Sequence, residues 1–102
     1  MEVKIYQVTD LRNCNYLFRD YDTAREMGFS LGDYSVVYSY NTKEEPVNLY
    51  DFLEELFKKF NTHRPTDFRG HSVSVSDLIE LRGKFVKKAL FYVDSFGFVR
   101  ID

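Results

Sequence analysis

Two stretches in the first half of the chain alternate apolar and polar residues with a period of two. Residues 2–8 and 34–40 follow this pattern and are rich in β-branched and aromatic side chains. Such alternation is typical of a β-strand with one buried and one polar face. It predicts a strand over each range, and residues 16–18 predict a further short strand.

The last third of the chain combines a serine–valine alternation with the signal of an aromatic hairpin. In an extended backbone, the odd-numbered residues from 71 to 81 would lie on one face, which predicts a long strand. Because single strands of that length are unusual, we expect a bend near Ser76 and Asp77. Residues 88–94 and 98–101 predict two strands joined by a tight turn. This third of the chain is therefore predicted to be mostly sheet.

Apolar residues at helical spacing predict one long helix over residues 48–61. They are Leu49, Phe52, Leu53, Leu56, Phe57 and Phe60, which form one wide stripe. Asn48 is the expected N-cap of this helix. A shorter helix is predicted over residues 20–27, with Asp20 as its N-cap and Gly28 as its left-handed stop.

Together these elements predict an α+β fold in a single domain spanning residues 1–102. We expect a mostly antiparallel sheet, curved or barrel-like, packed by the long amphipathic helix and the short one. The chain has 102 residues, 18% of them aromatic, enough apolar side chains to fold without a disulfide or a metal. The expected core contacts join Leu53, Leu56, Phe57 and Phe60 to Val73, Val75, Ile79 and Val93.

The tyrosines of the second strand have two interpretations. Alternation places Tyr34, Tyr38 and Tyr40 on one face together with Val36. If that face meets solvent, the rings form a stacking platform for bases or sugars. If it meets the core, the rings pack and their hydroxyls reach the rim, which is the commoner arrangement on strands.

His71 and Asp77 mark the two ends of the serine–valine block. A structural interpretation has His71 half-buried, with its ring bonded to a backbone carbonyl or to Asp77. A functional interpretation has His71 contacting a ligand at the start of a strand. The neighbouring Arg69 belongs to a set of basic residues that could form one face, namely Arg64, Arg69, Arg82, Lys84, Lys87 and Lys88.

The sequence Asp94-Ser95-Phe96-Gly97 predicts a type I turn. We expect Asp94 to accept a hydrogen bond from a turn N–H and Gly97 to hold a conformation that a Cβ would strain. Phe96 then either folds back over the core or anchors a partner, as rigid aromatic residues often do at interfaces.

Catalytic and cofactor signals are weak. Cys14 stands alone between asparagines, and His63 and His71 lack the short spacings of zinc sites, so we expect no metal, no cofactor and no enzyme activity. An enzyme that uses Cys14 or His71 remains the least favoured alternative. A single cysteine excludes an internal disulfide, and no apolar run reaches membrane-span length, so we expect a cytoplasmic protein with no membrane partner.

Charge divides unevenly along the chain. Residues 1–62 carry 7 basic and 11 acidic side chains, and residues 63–102 carry 7 basic and 5 acidic ones. The overall charge of −2 is not that of a dedicated nucleic-acid binder. A local basic face would still allow nucleic-acid binding.

The motifs described above resemble those of the YodL-like family. The resemblance rests on residues 70–77, on 92–98, and on the N-terminal segments 18–22 and 34–38, so it spans nearly the whole chain. It implies a small bacterial domain carried by mobile elements and phages. The family has no established catalytic residues. The basic turn over residues 82–88 and the apolar Val73 and Leu78 are features in which this chain departs from it.

The resemblance and the motifs together predict a non-enzymatic module that binds, and modulates or inhibits, a host protein such as a defence factor. The candidate partner-binding residues are Tyr34, Tyr38, Tyr40, Arg69, His71, Asp77, Asp94 and Phe96. The alternative is a nucleic-acid-binding domain, since the turn from residues 74–77 into an apolar strand also resembles PUA- and ASCH-like barrels.

Overall fold

The computed structural model describes residues 1–102 and contains five strands and two α-helices. In chain order they are β1 (Glu2–Val8), α1 (Tyr21–Glu26), β2 (Tyr34–Asn41), α2 (Leu49–Thr62), β3 (Leu78–Arg82), β4 (Ala89–Val93) and β5 (Phe98–Arg100). A single 3₁₀ turn precedes β2. The predicted α+β class is confirmed. Neither helix has the length and apolar character that crossing a membrane requires.

The strands form one open antiparallel sheet in the order β2-β1-β3-β4-β5. Its edge strands, β2 and β5, do not pair with each other, so the sheet is open and not a closed barrel. Tyr6 pairs with Leu78, Leu78 with Tyr92, and Val93 with Phe98. The end of β1 therefore lies beside the start of β3 and the β4–β5 turn, and we call this the Val8 end of the sheet. The opposite end of the sheet, where β1 begins and β3 ends, is called the Glu2 end.

Helix α2 covers one face of the sheet and forms the main core. Leu53 and Phe60 are completely buried, and Phe52 and Leu56 nearly so. They pack with Val3, Ile5, Val73, Ile79, Leu81, Ala89, Phe91 and Val93. Phe57 is only partly buried, and its ring meets the edge of Phe98 with the centroids 6.3 Å apart. The predicted stripe is therefore confirmed as core, with Leu49 and Phe57 at its margins.

The opposite face of the sheet is covered by residues 10–33, which include α1. Buried Tyr16, Ala24, Leu78, Leu90 and Tyr92 form a second cluster there, joined by partly buried Tyr21, Phe29 and Tyr34. Phe29 contacts the edge of both the Tyr16 and the Tyr92 rings, with centroids 5.7 Å apart in each case. Strand β4 is consequently buried along its whole length, which explains its continuous run of apolar residues.

Both predicted helix caps are present. The Asp20 carboxylate accepts from the backbone N–H of Thr23, and the Asn48 side chain accepts from those of Tyr50 and Asp51. Gly28 follows α1 with a φ of +93°, as predicted for the left-handed residue after a helix. These local signals fix where each helix begins, because the first N–H groups of a helix need acceptors from outside it.

The serine–valine block is not a strand, which corrects the prediction for residues 71–81. Only β3, from Leu78 onward, pairs with the sheet. Ser76 has a φ of +83°, and the Asp77 N–H donates to the Ser74 carbonyl at 3.0 Å. This turn buries Val73 against α2 without strand pairing. Alternation therefore identified the buried Val73 but did not correspond to an extended backbone.

The strand predicted at residues 16–18 is also wrong. The Arg19 N–H donates to the Tyr16 carbonyl, which closes a turn, and Phe18 has a φ of +66°. The Phe18 N–H donates to the hydroxyl of Ser76 at 3.0 Å. Two residues with left-handed backbones, distant in sequence, thus support each other at the Val8 end of the sheet.

Candidate protein-binding site

The turn that joins β4 to β5 presents a bare aromatic ring at the Val8 end of the sheet. We call residues 94–97 the Phe96 turn. Its Asp94 N–H donates to the Gly97 carbonyl at 3.0 Å, and Gly97 has a φ of +80°, as predicted. The side chain of Phe96 is 95% exposed, so it does not fold back over the core. The ring therefore stands in solvent on a short, closed loop.

The base of the Phe96 turn is tied to helix α1. The Asp94 carboxylate accepts from the backbone N–H of Tyr21 at 3.0 Å, and not from an N–H of its own turn as expected from the sequence. Tyr21 is the first residue of α1, so its N–H has no partner within the helix. The bond satisfies that donor and fixes the turn to an element 73 residues away in sequence.

An apolar groove of about 140 Å³ lies beside the Phe96 turn. Its apolar lining comes from Phe57, Val75, Val93 and Phe98, and its polar rim from Glu54, Asp94 and Ser95. Phe57 and Val75 are only partly buried by the rest of the fold. A protruding ring next to a shallow apolar groove is an arrangement that accepts an apolar side chain of another protein.

The tyrosines of β2 do not share one face, which corrects the prediction. The register against β1 shifts between Ile5 and Tyr6, so that β2 contains one extra residue. Tyr34 consequently packs in the cluster on the α1 side, whereas Tyr38 and Tyr40 pack in the cluster under α2. A β-bulge reverses side-chain parity in this way, and nothing in a simple alternation reveals it.

All three tyrosine rings of β2 are used in packing. Tyr38 contacts the edges of the Phe60 and Phe68 rings, and its hydroxyl donates to Asp67 at 2.8 Å. The Tyr34 hydroxyl donates to the Ser76 carbonyl, and burial raises the pKa of this phenol far above its usual range. Burial also raises the pKa of Tyr40 to about 12. The core-and-rim interpretation therefore describes this strand, and no stacking platform is formed.

Asp77 and His71 meet at the Val8 end through a buried glutamine that the sequence did not single out. The Gln7 amide nitrogen donates to the Asp77 carboxylate at 3.0 Å and to the His71 carbonyl at 2.9 Å. The Ser74 N–H donates to the same carboxylate oxygen. Gln7 and Asp77 are buried, so Asp77 presents no atom to a partner, contrary to its place among the predicted binding residues.

The Asp77 carboxyl in this network has a raised pKa. Burial raises the pKa of Asp77 to about 6, against the opposing effects of the Ser74 N–H, the Gln7 amide and the charge of His71. The His71 ring nitrogen Nδ1 lies 2.7 Å from the Ser72 carbonyl, so the half-buried ring bonds backbone as the structural interpretation predicts. We regard the network as the clamp that holds the loop 71–77 against β1.

The basic residues separate into two groups. Arg69 adjoins Gly70, which approaches the Gln7 side chain at the Val8 end of the sheet. Gly83 instead approaches Met1 and Glu45 at the Glu2 end, and it opens the loop that carries Lys84, Lys87 and Lys88. Seven strand residues, or about 20 Å, separate the two ends. Arg69 and the lysines of this loop therefore do not form one basic face.

The remaining titratable candidates do not converge. Cys14 lines a polar cleft of about 270 Å³ together with Asp10, Asn13, Asn15 and Asp33, and neither histidine reaches it. His63 is exposed after the last turn of α2. No group of three or more His, Cys, Asp or Glu side chains is placed to hold a metal ion.

Comparisons with known proteins give one match. No curated protein and no solved structure is similar to this chain. The family model of the YodL-like domain matches residues 2–102. This match agrees with the resemblance seen in residues 70–77 and in the hairpin that contains the Phe96 turn. The chain therefore belongs to the YodL-like family.

Proposed function

We propose that this protein is a non-enzymatic module that binds another protein through the Phe96 turn and the adjoining groove. The observation that carries the proposal is the 95% exposure of Phe96 on a loop held by Gly97 and by the Asp94–Tyr21 bond. A large apolar ring in solvent has no stabilising role in the isolated fold. Buried in a partner, it would remove its apolar surface from water.

Preorganisation favours binding through this turn. The backbone of the turn is already fixed, and a phenylalanine has only two side-chain torsions to freeze, so the entropic cost of docking is small. The groove lined by Phe57, Val75 and Phe98 can receive an apolar side chain of the partner next to the inserted ring. Aromatic anchors beside small apolar pockets are typical of binding hot spots.

We further propose the biological setting that family membership suggests. The protein would be carried by a bacterial mobile element or phage, act in the cytoplasm, and modulate or inhibit a host protein, including a defence protein. The single free Cys14 is compatible with a reducing compartment. The Phe96 turn would supply the contact, and inhibition would follow from occupying the partner's own binding surface.

A photo-crosslinking residue placed at position 96 tests the binding proposal. Phe85 is the matched control, because it is also 84% exposed but lies in the loop at the opposite end of the sheet. In cells that contain the partner, position 96 should capture one protein and position 85 should not. Equal capture from both positions would contradict a specific role for the turn.

One observation favours the nucleic-acid alternative. Exposed Phe85 lies among Arg82, Lys84, Lys87 and Lys88, so a ring and several cations share one loop. Such a loop suits stacking on a single-stranded base with phosphate contacts. Salt-dependent binding of single-stranded RNA that Phe85→Ala abolishes and Phe96→Ala preserves would support this function and displace the protein-binding one.

A further inference from the structure

Phe18 occupies a turn position that normally takes glycine or asparagine. The Arg19 N–H donates to the Tyr16 carbonyl at 3.0 Å, so residues 16–19 form a β-turn whose third residue is Phe18. Phe18 has a φ of +66°, whereas the φ of Leu17 is not positive. These signs are those of a type II turn, in which a residue with a Cβ at the third position is strained. The phenylalanine therefore opposes the local backbone preference.

The Phe18 ring contributes little to the fold that could offset this strain. Phe18 is 58% exposed, and it belongs to neither hydrophobic cluster. Strained backbone conformations are found most often at binding and active sites, where the strained residue has a functional role. An exposed aromatic residue in this conformation consequently indicates contact with another molecule.

Hydrogen bonds place Phe18 beside the proposed binding site. Its N–H donates to the Ser76 hydroxyl at 3.0 Å, and the Ser76 N–H donates to the Val93 carbonyl at 2.9 Å. Val93 immediately precedes the Phe96 turn, and Val75, next to Ser76, lines the adjoining groove. Phe18 thus lies at the same end of the sheet as both parts of the site.

We infer that Phe18 is a second aromatic anchor that enters the same partner as Phe96, an inference that rests on the proposed function. The contact surface then runs across the Val8 end of the sheet, from the groove on the α2 side to Phe18 on the α1 side. The bonds through Ser76 and the short path from Val93 to Phe96 keep the two backbones within about 20 Å. An interface of standard size is roughly 30 Å across, so one partner can contact both rings.

The charges between the two rings favour a protein as the partner. The two segments that meet at the Asp94–Tyr21 bond carry the rings at their far ends. Between the rings they contain Asp20, Asp94 and a single cation, Arg19. A net negative charge does not attract the phosphates of nucleic acids or of anionic membranes. We therefore expect a protein with two apolar hollows, because aromatic anchors bind in well-packed pockets.

Photo-crosslinking provides the first test, with the crosslinking residue at position 18. Leu31 is the matched control, because it is 55% exposed and lies outside both hydrophobic clusters, but its backbone is not left-handed. Position 18 should capture the protein that position 96 captures, and position 31 should not. Capture of a different protein, or of none, from position 18 would overturn the inference.

Asparagine variants separate binding from folding. Asparagine adopts a left-handed backbone more easily than phenylalanine, so Phe18→Asn should melt at or above the wild-type temperature. Its affinity for the protein captured from position 96, measured by titration calorimetry, should nevertheless fall at least tenfold, whereas Leu31→Asn should bind as wild type. Equal losses of affinity for the two variants would overturn the inference. So would a Phe18→Asn protein that binds normally but melts more than about 4 °C lower, or that fails to fold, because the ring would then belong to the fold.

Phe96→Ala distinguishes a failure of this inference from a failure of the proposed function. If Phe96→Ala weakens binding and Phe18→Asn does not, the Phe96 turn binds the partner and Phe18 is not an anchor. If neither variant weakens binding, the proposed function fails as well. Two anchors in one interface require both single variants to lose affinity and the double variant to lose more than either.

Discussion

The Asp94 carboxylate accepts a hydrogen bond from the backbone N–H of Tyr21 at 3.0 Å, which joins the β4–β5 turn to the first residue of α1. Two elements at opposite ends of the sequence thereby fix one another at the Val8 end of the sheet. The turn next to this bond carries the exposed Phe96 ring. The direction of that ring is consequently a property of the tertiary fold.

Loss of this bond should destabilise the fold and loosen the Phe96 turn. Asp94→Ala removes the acceptor of a partly buried N–H, so we expect a decrease of about 1–2 kcal/mol in the free energy of unfolding. Ser95→Ala, in the same turn, is the control, since the Ser95 side chain is exposed. Urea denaturation measures both. An Asp94→Ala protein as stable as wild type would show that the bond is unimportant in solution.

The position of each phenylalanine along α2 should determine the cost of removing it. Phe60 is completely buried, so Phe60→Ala should reduce the free energy of unfolding by about 3–5 kcal/mol. Phe57 was expected in the core from its spacing, but it is only partly buried at the groove, so its replacement should cost clearly less. Thermal melting of the two variants compares them directly. A larger loss for Phe57 would contradict the placement of the groove.

Asp77 should make the protein less stable as the pH rises. Its pKa is about 6 in the folded protein and near 3.8 when unfolded, because burial penalises the carboxylate. The stabilising contribution of the neutral acid is complete below pH 3.8 and is lost as the pH rises through 6. Two pKa units correspond to about 3 kcal/mol.

Asp77→Asn isolates this effect. The asparagine oxygen can keep the bonds from Ser74 and Gln7, so the variant removes the titrating carboxyl while keeping its contacts. Urea unfolding at pH 4, 5, 6 and 7 should show the variant gaining stability relative to wild type as the pH rises. A difference that does not change with pH would mean that Asp77 stays ionised when buried.

Cys14 should be dispensable. It lies in a polar cleft that neither histidine reaches, so no imidazole is placed to activate the thiol. The Cys14→Ser variant should therefore bind the partner identified by crosslinking from position 96 with the wild-type affinity, as measured by titration calorimetry. Loss of function on modification of Cys14 with a thiol reagent, with the serine variant equally inactive, would instead favour the enzyme hypothesis.

Local signals in the sequence predicted most of the fold. Helical spacing identified α2, and Asp20 and Asn48 identified where the helices begin, because capping depends on a few adjacent residues. The period-two alternation gave wrong predictions in two segments whose backbone is determined by contacts with distant parts of the chain. The bulge in β2 reversed the parity of its tyrosines, and the loop 71–77 buries Val73 through a turn at Ser76.

The candidate site was only partly predictable. The sequence of residues 94–97 predicted the turn, the unusual backbone conformation of Gly97 and the choice of Phe96 as a candidate anchor, because a turn depends on a few adjacent residues. The sequence could not show that Asp94 bonds Tyr21, that Gln7 organises Asp77, or that Phe57 and Val75 line a groove. Each of these depends on a contact between residues far apart in the chain. Phe85 had a weak local signal, an aromatic residue among lysines in a turn between strands.

The most direct test of the proposed function is a binding titration of the captured partner with wild-type protein, Phe96→Ala and Phe85→Ala, each also measured by thermal melting. Phe96→Ala should weaken binding by at least about 2 kcal/mol, roughly 30-fold, with a nearly unchanged melting temperature. Phe85→Ala should bind as wild type. Unchanged affinity for Phe96→Ala, or equal losses for both variants, would contradict a partner-binding role for the Phe96 turn.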